Sequence, residues 1–249
     1  MTKIKSEKQI VVMAEAGRIA GKILQKLTAA ARAGTTTKEL NSLTNELCAQ
    51  YKVKSAFLGY RGYPASLCVA INETVVHGIP DNMPLREGDI MGIDFGVVYR
   101  GFCADCATTI AIGKVDENAM RLMKATRVAL VAAEKILRDG VRIGDIGSAI
   151  SKVAIDNNFG VVRELTGHGI GRKLQEDPSI PNYGRPGTGM ILREGMTICI
   201  EPMFTLGSAK IVSSPDGWTI KTADSSLAAH YEHTLLITKT GCRILTPID

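Results

Sequence analysis

Four strand-like runs of this 249-residue chain each carry one carboxylate in a place where a strand rarely tolerates it. Asp94 lies inside "DIMGIDFGVV", Asp105 inside "GFCADCATTIAI", Glu201 inside "MTICIEPMF" and Glu232 inside "AAHYEHTLLIT". Asp is depleted from strands, and a charge among apolar neighbours stays buried only when it is paired. The first two runs meet at "VYRGF", where a hairpin turn at residues 99 to 101 lays Asp94 and Asp105 nearly opposite each other. Carboxylates facing across one ladder repel unless a cation sits between them. Any one of the four, taken alone, reads as a solvent-facing residue of a half-exposed strand. Together with His168, set between two glycines in "ELTGHGIGRKLQEDP", they need a common cause. Two divalent cations match four carboxylates in charge, and a carboxylate can bridge two ions about 3.5–4 Å apart. A donor set rich in oxygen with one imidazole suits Mn, Fe(II), Co or Zn.

Around these runs the pattern of apolar residues changes period twice. Residues 6 to 33 repeat apolar positions at helical spacing behind Ser6, and "TTKELNSLTNELCAQY" opens with Thr36 and Glu39 in capping-box register, which predicts two helices. Residues 66 to 112 then read as strands. Helical spacing returns in "DENAMRLMKATRVALVAAEKILRDG" and "IGDIGSAISKVAIDNNF", and strands resume at "GVVRELTGHG". The order starts over after about 110 residues, with echoes such as "MAEAGRIA" against "MKATRVA", so an α+β fold of two duplicated halves around one sheet is expected. No linker divides the halves, which predicts a single domain over residues 1–249.

Composition excludes more than it selects. A formal charge of +5 with scattered Lys and Arg gives no special support to nucleic-acid binding. No window approaches a membrane span, no apolar leader core opens the chain, and six cysteines at low density fit free thiols in a reducing compartment, so a cytoplasmic protein is expected. Cys103 and Cys106 form a C-x-x-C, but residues three apart on a strand point to opposite faces and cannot share one metal.

The contexts "GIDFGVVYRGFCADC", "TGHGIG", "IEPMF" and "YEHT", with "LGYRGYPASLCVAINETVVHGIP" and "DGWTIKT", resemble the type I methionine aminopeptidases of the pita-bread metallopeptidases, in their short bacterial form, over essentially the whole chain. The resemblance implies a curved antiparallel sheet with helices on its outer face, and removal of the initiator methionine from new polypeptides. It implies that Asp94 holds one metal, His168 and Glu201 the other, and Asp105 and Glu232 both. Glu201 would be the base for the attacking water, and His77 would hydrogen-bond the scissile amide. Phe57, Tyr60, Tyr63, Cys68, Leu174 and Trp218 occupy positions of the methionine pocket, with His77 beside them. A monomer acting on nascent chains, with the ribosome as a candidate partner, is the implied setting.

Three departures from the family pattern matter. Phe57 stands where bacterial members often have cysteine and Leu174 where they have phenylalanine, which reopens the strictness of methionine preference. Gln175 replaces a histidine that approaches the substrate carbonyl, while His230 replaces a glutamine. One reading is that imidazole and amide have exchanged places; the other is a tolerated Gln175 with His230 on the surface. His233, of opposite parity to Glu232, is expected to be structural. Rival functions are an aminopeptidase of broader first-residue preference and a non-catalytic pita-bread protein that binds peptides or ribosomes.

Overall fold

Helices begin where the sequence caps them. In this computed structural model, which describes residues 4–248, α1 (Glu7–Ala30) opens at Ser6, whose hydroxyl accepts from Gln9 N while its own N–H donates to the Gln9 side chain. The same reciprocal box, Thr36 with Glu39, opens α2 (Thr37–Tyr51). α1 stops three residues before the sequence pattern predicts: Ala31 turns extended, and the following loop is held by Gly34 N and Leu85 N, which donate to Leu85 O and Thr35 O.

The short β1 (Lys54–Ser55), β2 (Cys68–Ile71) and β3 (Thr74–Val76) precede a long hairpin, β4 (Ile90–Tyr99) and β5 (Phe102–Ala111). Two more helices, α3 (Glu117–Ile136) and α4 (Ile143–Asp156), open the second half. They lead to β6 (Gly160–Val161), β7 (Thr166–Gly169), β8 (Glu176–Pro181), β9 (Thr197–Ile200) and β10 (Met203–Thr205). The remaining strands are β11 (Ile211–Ser213), β12 (Ile220–Thr222), β13 (Ala228–His230), β14 (Glu232–Ile237) and β15 (Cys242–Ile244). Nine strands form one antiparallel sheet in the order β1-β4-β5-β14-β9-β7-β8, with β2 also on β4 and β15 also on β14.

Strand alternation divides the sheet into a covered convex face and a concave one. Met91, Ile93, Phe95, Val97, Ala104 and Cys106 pack with Ile23, Leu24 and Leu27 of α1 and with α2, while Ile198, Ile200, Leu235 and Ile237 pack with α3 and α4. Each helix pair thus covers one half of the sheet, as the duplicated order predicts. Each fully buried aliphatic side chain in these cores contributes roughly 1.5–3 kcal/mol.

The first helix is also covered by the chain's far end. Gly17 and Gly21 lie one turn apart on α1, and a Cβ at either would collide with the carbonyl oxygen of Leu245 or of Pro247. Leu245 N donates to Thr234 O, so this segment is tied to β14 and cannot retreat freely. Gly17→Ala is therefore expected to destabilise the fold by about 1–3 kcal/mol, read as a lower midpoint in urea unfolding.

Candidate metal centre

The four carboxylates converge on the concave face because each has the opposite parity to the helix-covered residues of its strand. Asp94 pairs with Ala107 and Asp105 with Gly96, so the two acids are diagonal neighbours on one face rather than directly opposite. Glu232, first residue of β14, also pairs with Ala107, and Asp94, Asp105 and Glu232 offer carboxylate oxygens within 4.8 Å of one another. Glu201 follows the last residue of β9. Thr234 and Thr109 hold this junction: the Thr234 hydroxyl bonds both N and O of Asp105 (2.9 and 2.8 Å), and the Thr109 hydroxyl bonds both N and O of His230 (3.0 and 2.7 Å). Cys103 and Cys106 do separate onto opposite faces.

His168 owes its place to the glycines beside it. On β7 it is squeezed between β9 and β8, and a Cβ at Gly167 or Gly169 would strike the carbonyl oxygens of Cys199 or Asp177. Its Nδ1 lies 2.9 Å from the Gly169 carbonyl, which can only accept, so the ring proton is on Nδ1. The Nε2 lone pair then faces Glu201 Oε1 at 3.6 Å, the tautomer a metal-binding imidazole requires.

Burial penalises every charge here. Desolvation, reinforced by the neighbouring acids, raises Asp94, Glu201 and Glu232 well above the ordinary carboxyl range, and desolvation lifts Asp105 to about 7. His168 and His77 are pushed down by burial, and His230 down to about 3 by burial and then by His77. Oδ1 of Asp94, Oδ1 of Asp105 and Oε1 of Glu232 are buried without a hydrogen-bond partner. Buried acceptors left unsatisfied around a neutral imidazole form a donor set that fits divalent cations.

One cavity of about 120 Å³ unites these donors with the residues of the expected side-chain pocket. Asp94, Asp105, His168, Glu201 and Glu232 share it with Phe57, Tyr60, Tyr63, Cys68, His77, Leu174, Gln175 and Trp218. Tyr63 and Trp218 meet edge to face at 5.1 Å, and the Tyr60 hydroxyl lies 3.3 Å from Gln175 Oε1. His77 projects from a left-handed backbone position, φ 60°, unusual for a non-glycine residue and typical of residues held for function. His230 does not line the cavity. It is no surface residue either: the side chain is buried behind the acids, with Nε2 3.8 Å from Glu201 and 4.0 Å from Glu232. His233 points the other way, its Nδ1 2.6 Å from Glu134 of α3.

Sequence reasoning passed over two residues. Cys199, whose sulfur lies within 4.8 Å of ligand atoms of His168 and Glu232, has the parity of Glu201 and was legible by alternation. Arg61 lines the cavity from a left-handed turn at φ 50°, which no spacing announces.

A concave antiparallel sheet gathering four acids and one histidine defines a metallopeptidase site. Residues 12–239 match metallopeptidase family M24. The chain is 43% identical to the methionine aminopeptidase of Clostridium perfringens, over 98% of each chain, and 41% identical to that of Escherichia coli, over 98% of this chain and 93% of the other. It superposes on the crystal structure of methionine aminopeptidase from Thermotoga maritima with a TM-score of 0.97 at 43% identity, covering 99% of each. The prolidase from Pyrococcus furiosus shares the fold alone, with a TM-score of 0.80 at 21% identity over 99% of this chain and 66% of that one. The chain belongs to family M24 and, within it, to the methionine aminopeptidases.

The unfolded chain's histidines, ordinarily at 6.5, bind protons that buried His77, His168 and His230 refuse, which raises stability with pH; as pH climbs past 6.5 that contribution fades and the raised carboxyls dominate the slope. The native state, with Asp105 at about 7 against an ordinary 3.8 and its neighbours higher than usual, holds more protons than the unfolded chain. Metal-free protein therefore loses stability as pH rises from 6.5 to about 8. Saturating Mn(II), which competes with those protons, is expected to abolish or reverse that slope in melting temperatures measured with and without EDTA.

Proposed function

We propose that the chain is a dimetal aminopeptidase that removes the N-terminal methionine from newly made proteins and peptides, the whole of residues 1–249 acting as one catalytic domain. The observation that carries this reading is the single cavity in which five donors adjoin a buried, largely apolar pocket. Phe57, Tyr63, Cys68, Leu174 and Trp218 supply its apolar wall, suited to an unbranched thioether side chain. Tyr63 and Trp218 present ring edges and faces that suit a thioether.

Asp94 would hold one metal, His168 and Glu201 the second, with Asp105 and Glu232 reaching both. When bound, the ions supply Lewis-acid polarisation of the scissile carbonyl and a lowered pKa for the attacking water. Glu201 would accept the attacking water's proton at its carboxylate, and His77, kept neutral by burial that lowers its pKa, would hydrogen-bond the scissile amide and assist the leaving nitrogen. Gln175, braced by Tyr60, holds the substrate-facing place and donates to the carbonyl through its amide. His230 stands behind Glu201 and Glu232, neutral, with its buried Nε2 3.8 and 4.0 Å from them and without a hydrogen-bond partner.

Six free thiols support a cytoplasmic setting, and no helix among the described residues is long and apolar enough to cross a membrane. A monomer acting on nascent chains, with the ribosome as a candidate partner, completes the reading.

With Mn(II) or Co(II), the protein is expected to release methionine from a Met-Ala-Ser peptide and to leave Leu- and Phe-led peptides largely intact. Comparable turnover of all three would favour a broadened pocket, and no turnover by folded protein with any metal would favour a binding module. His77→Ala should lower kcat by about a hundredfold or more with KM little changed, checked by steady-state kinetics.

A further inference from the structure

A second groove begins where the cavity ends. About 650 Å³ in volume, it shares Arg61, His168 and Gln175 with the cavity and continues past Arg172, Lys173 and Ser179. This lies within the size range of ligand clefts, about 300–1,000 Å³. Its inner end therefore meets the metal centre at His168, and a substrate whose first side chain fills the inner pocket leaves the reacting bond with this groove beside it.

Three cations and two acids line the groove. Of the acids, Glu176 has its Oε2 paired with the buried Lys5 at 3.0 Å, and its Oε1 accepts from the backbone N–H of Arg172 and Lys173 at 2.9 and 3.2 Å. That carboxylate is spent on fixing the loop. Three exposed cations, Arg61, Arg172 and Lys173, then stand against Asp177. Two of them are positioned rather than loose: the Arg172 guanidinium lies 4.7 Å from the Phe102 ring centre, and that of Arg61 lies 5.4 Å from the Tyr60 ring centre on the left-handed turn. Cations held on rings next to a catalytic centre form a fixed positive field, and such fields favour oppositely charged ligands through encounter and through KM.

Resting on the aminopeptidase reading, we propose that this groove receives the substrate chain beyond the first peptide bond and selects substrates with acidic side chains from the third position onward. The site thus has two separate recognition elements: an apolar pocket for the first residue and a basic channel for the chain that follows.

The test compares three C-terminally amidated peptides, Met-Ala-Glu-Glu-Gly, Met-Ala-Gln-Gln-Gly and Met-Ala-Lys-Lys-Gly, with Mn(II)-loaded full-length protein. At low salt kcat/KM should fall in that order, with about tenfold between the acidic and basic peptides, carried mainly by KM and shrinking in 0.5 M salt as screening grows. Arg61→Gln and Lys173→Gln should each compress the acidic-to-basic ratio, a readout that a merely structural role for either residue leaves unmoved. Equal kcat/KM for all three peptides overturns the channel while leaving the aminopeptidase reading in place. Absence of any cleavage removes both. Absence of charge ordering together with inhibition of all three peptides by a short RNA assigns the groove to nucleic acid and overturns the proposal.

Discussion

Four carboxyl groups gathered on one concave surface, Asp105 and Glu232 buried and Asp94 and Glu201 half-buried, set the terms for the rest of this molecule. Such a cluster resists ionisation and leaves acceptors unsatisfied, as the raised pKa values and the orphaned oxygens of Asp94, Asp105 and Glu232 show. It survives because the favourable burial lies elsewhere. The convex face of the same sheet carries two separate apolar cores, each roofed by a pair of helices. Cations complete the arrangement, so ligand binding and structural relief are the same event.

Rigidity and adaptability are divided between parts of the chain. The five donors stand in or beside sheet strands, with Thr109 and Thr234 bonding across the junction where the hairpin of the first half meets the strands of the second. The walls that decide what enters come from loops: Phe57 to Cys68, the stretch from Leu174 to Glu176, and Trp218. The middle of these is fastened from far away in sequence by Lys5, whose buried ammonium grips Glu176. Both His77 and Arg61 occupy left-handed backbone positions at the cavity, a cost the scaffold sustains where side-chain direction matters most.

Much of the fold and the donor set was legible in sequence because both rest on periodicity. Caps at Ser6 and Thr36 marked the helix starts, and acids among β-branched residues marked strands with a hidden face. Parity assigned Cys103 and Cys106 to different sides and turned His233 away from the cluster. What alternation alone could not supply was depth. The same rule that put His230 beside Glu232 could not say whether its ring would meet solvent, the cavity or the back of the acids, because that depends on β13 and β5 crossing at Thr109. Arg61 and Lys5 were out of reach for a related reason: a turn conformation and a contact across 171 positions leave no local pattern.

The seating of Leu245 and Pro247 against Gly17 and Gly21 gives the molecule a temporal constraint. Helix α1 emerges early in synthesis, yet the backbone that covers its glycine face is made near the other end of the chain. Until that segment arrives, α1 keeps an open flank and β14 lacks the bond from Leu245 that braces it beside Glu232. Covering of α1 is thereby tied to a segment made long after the helix itself, so the first half keeps an incomplete roof until residues 245–247 have been synthesised.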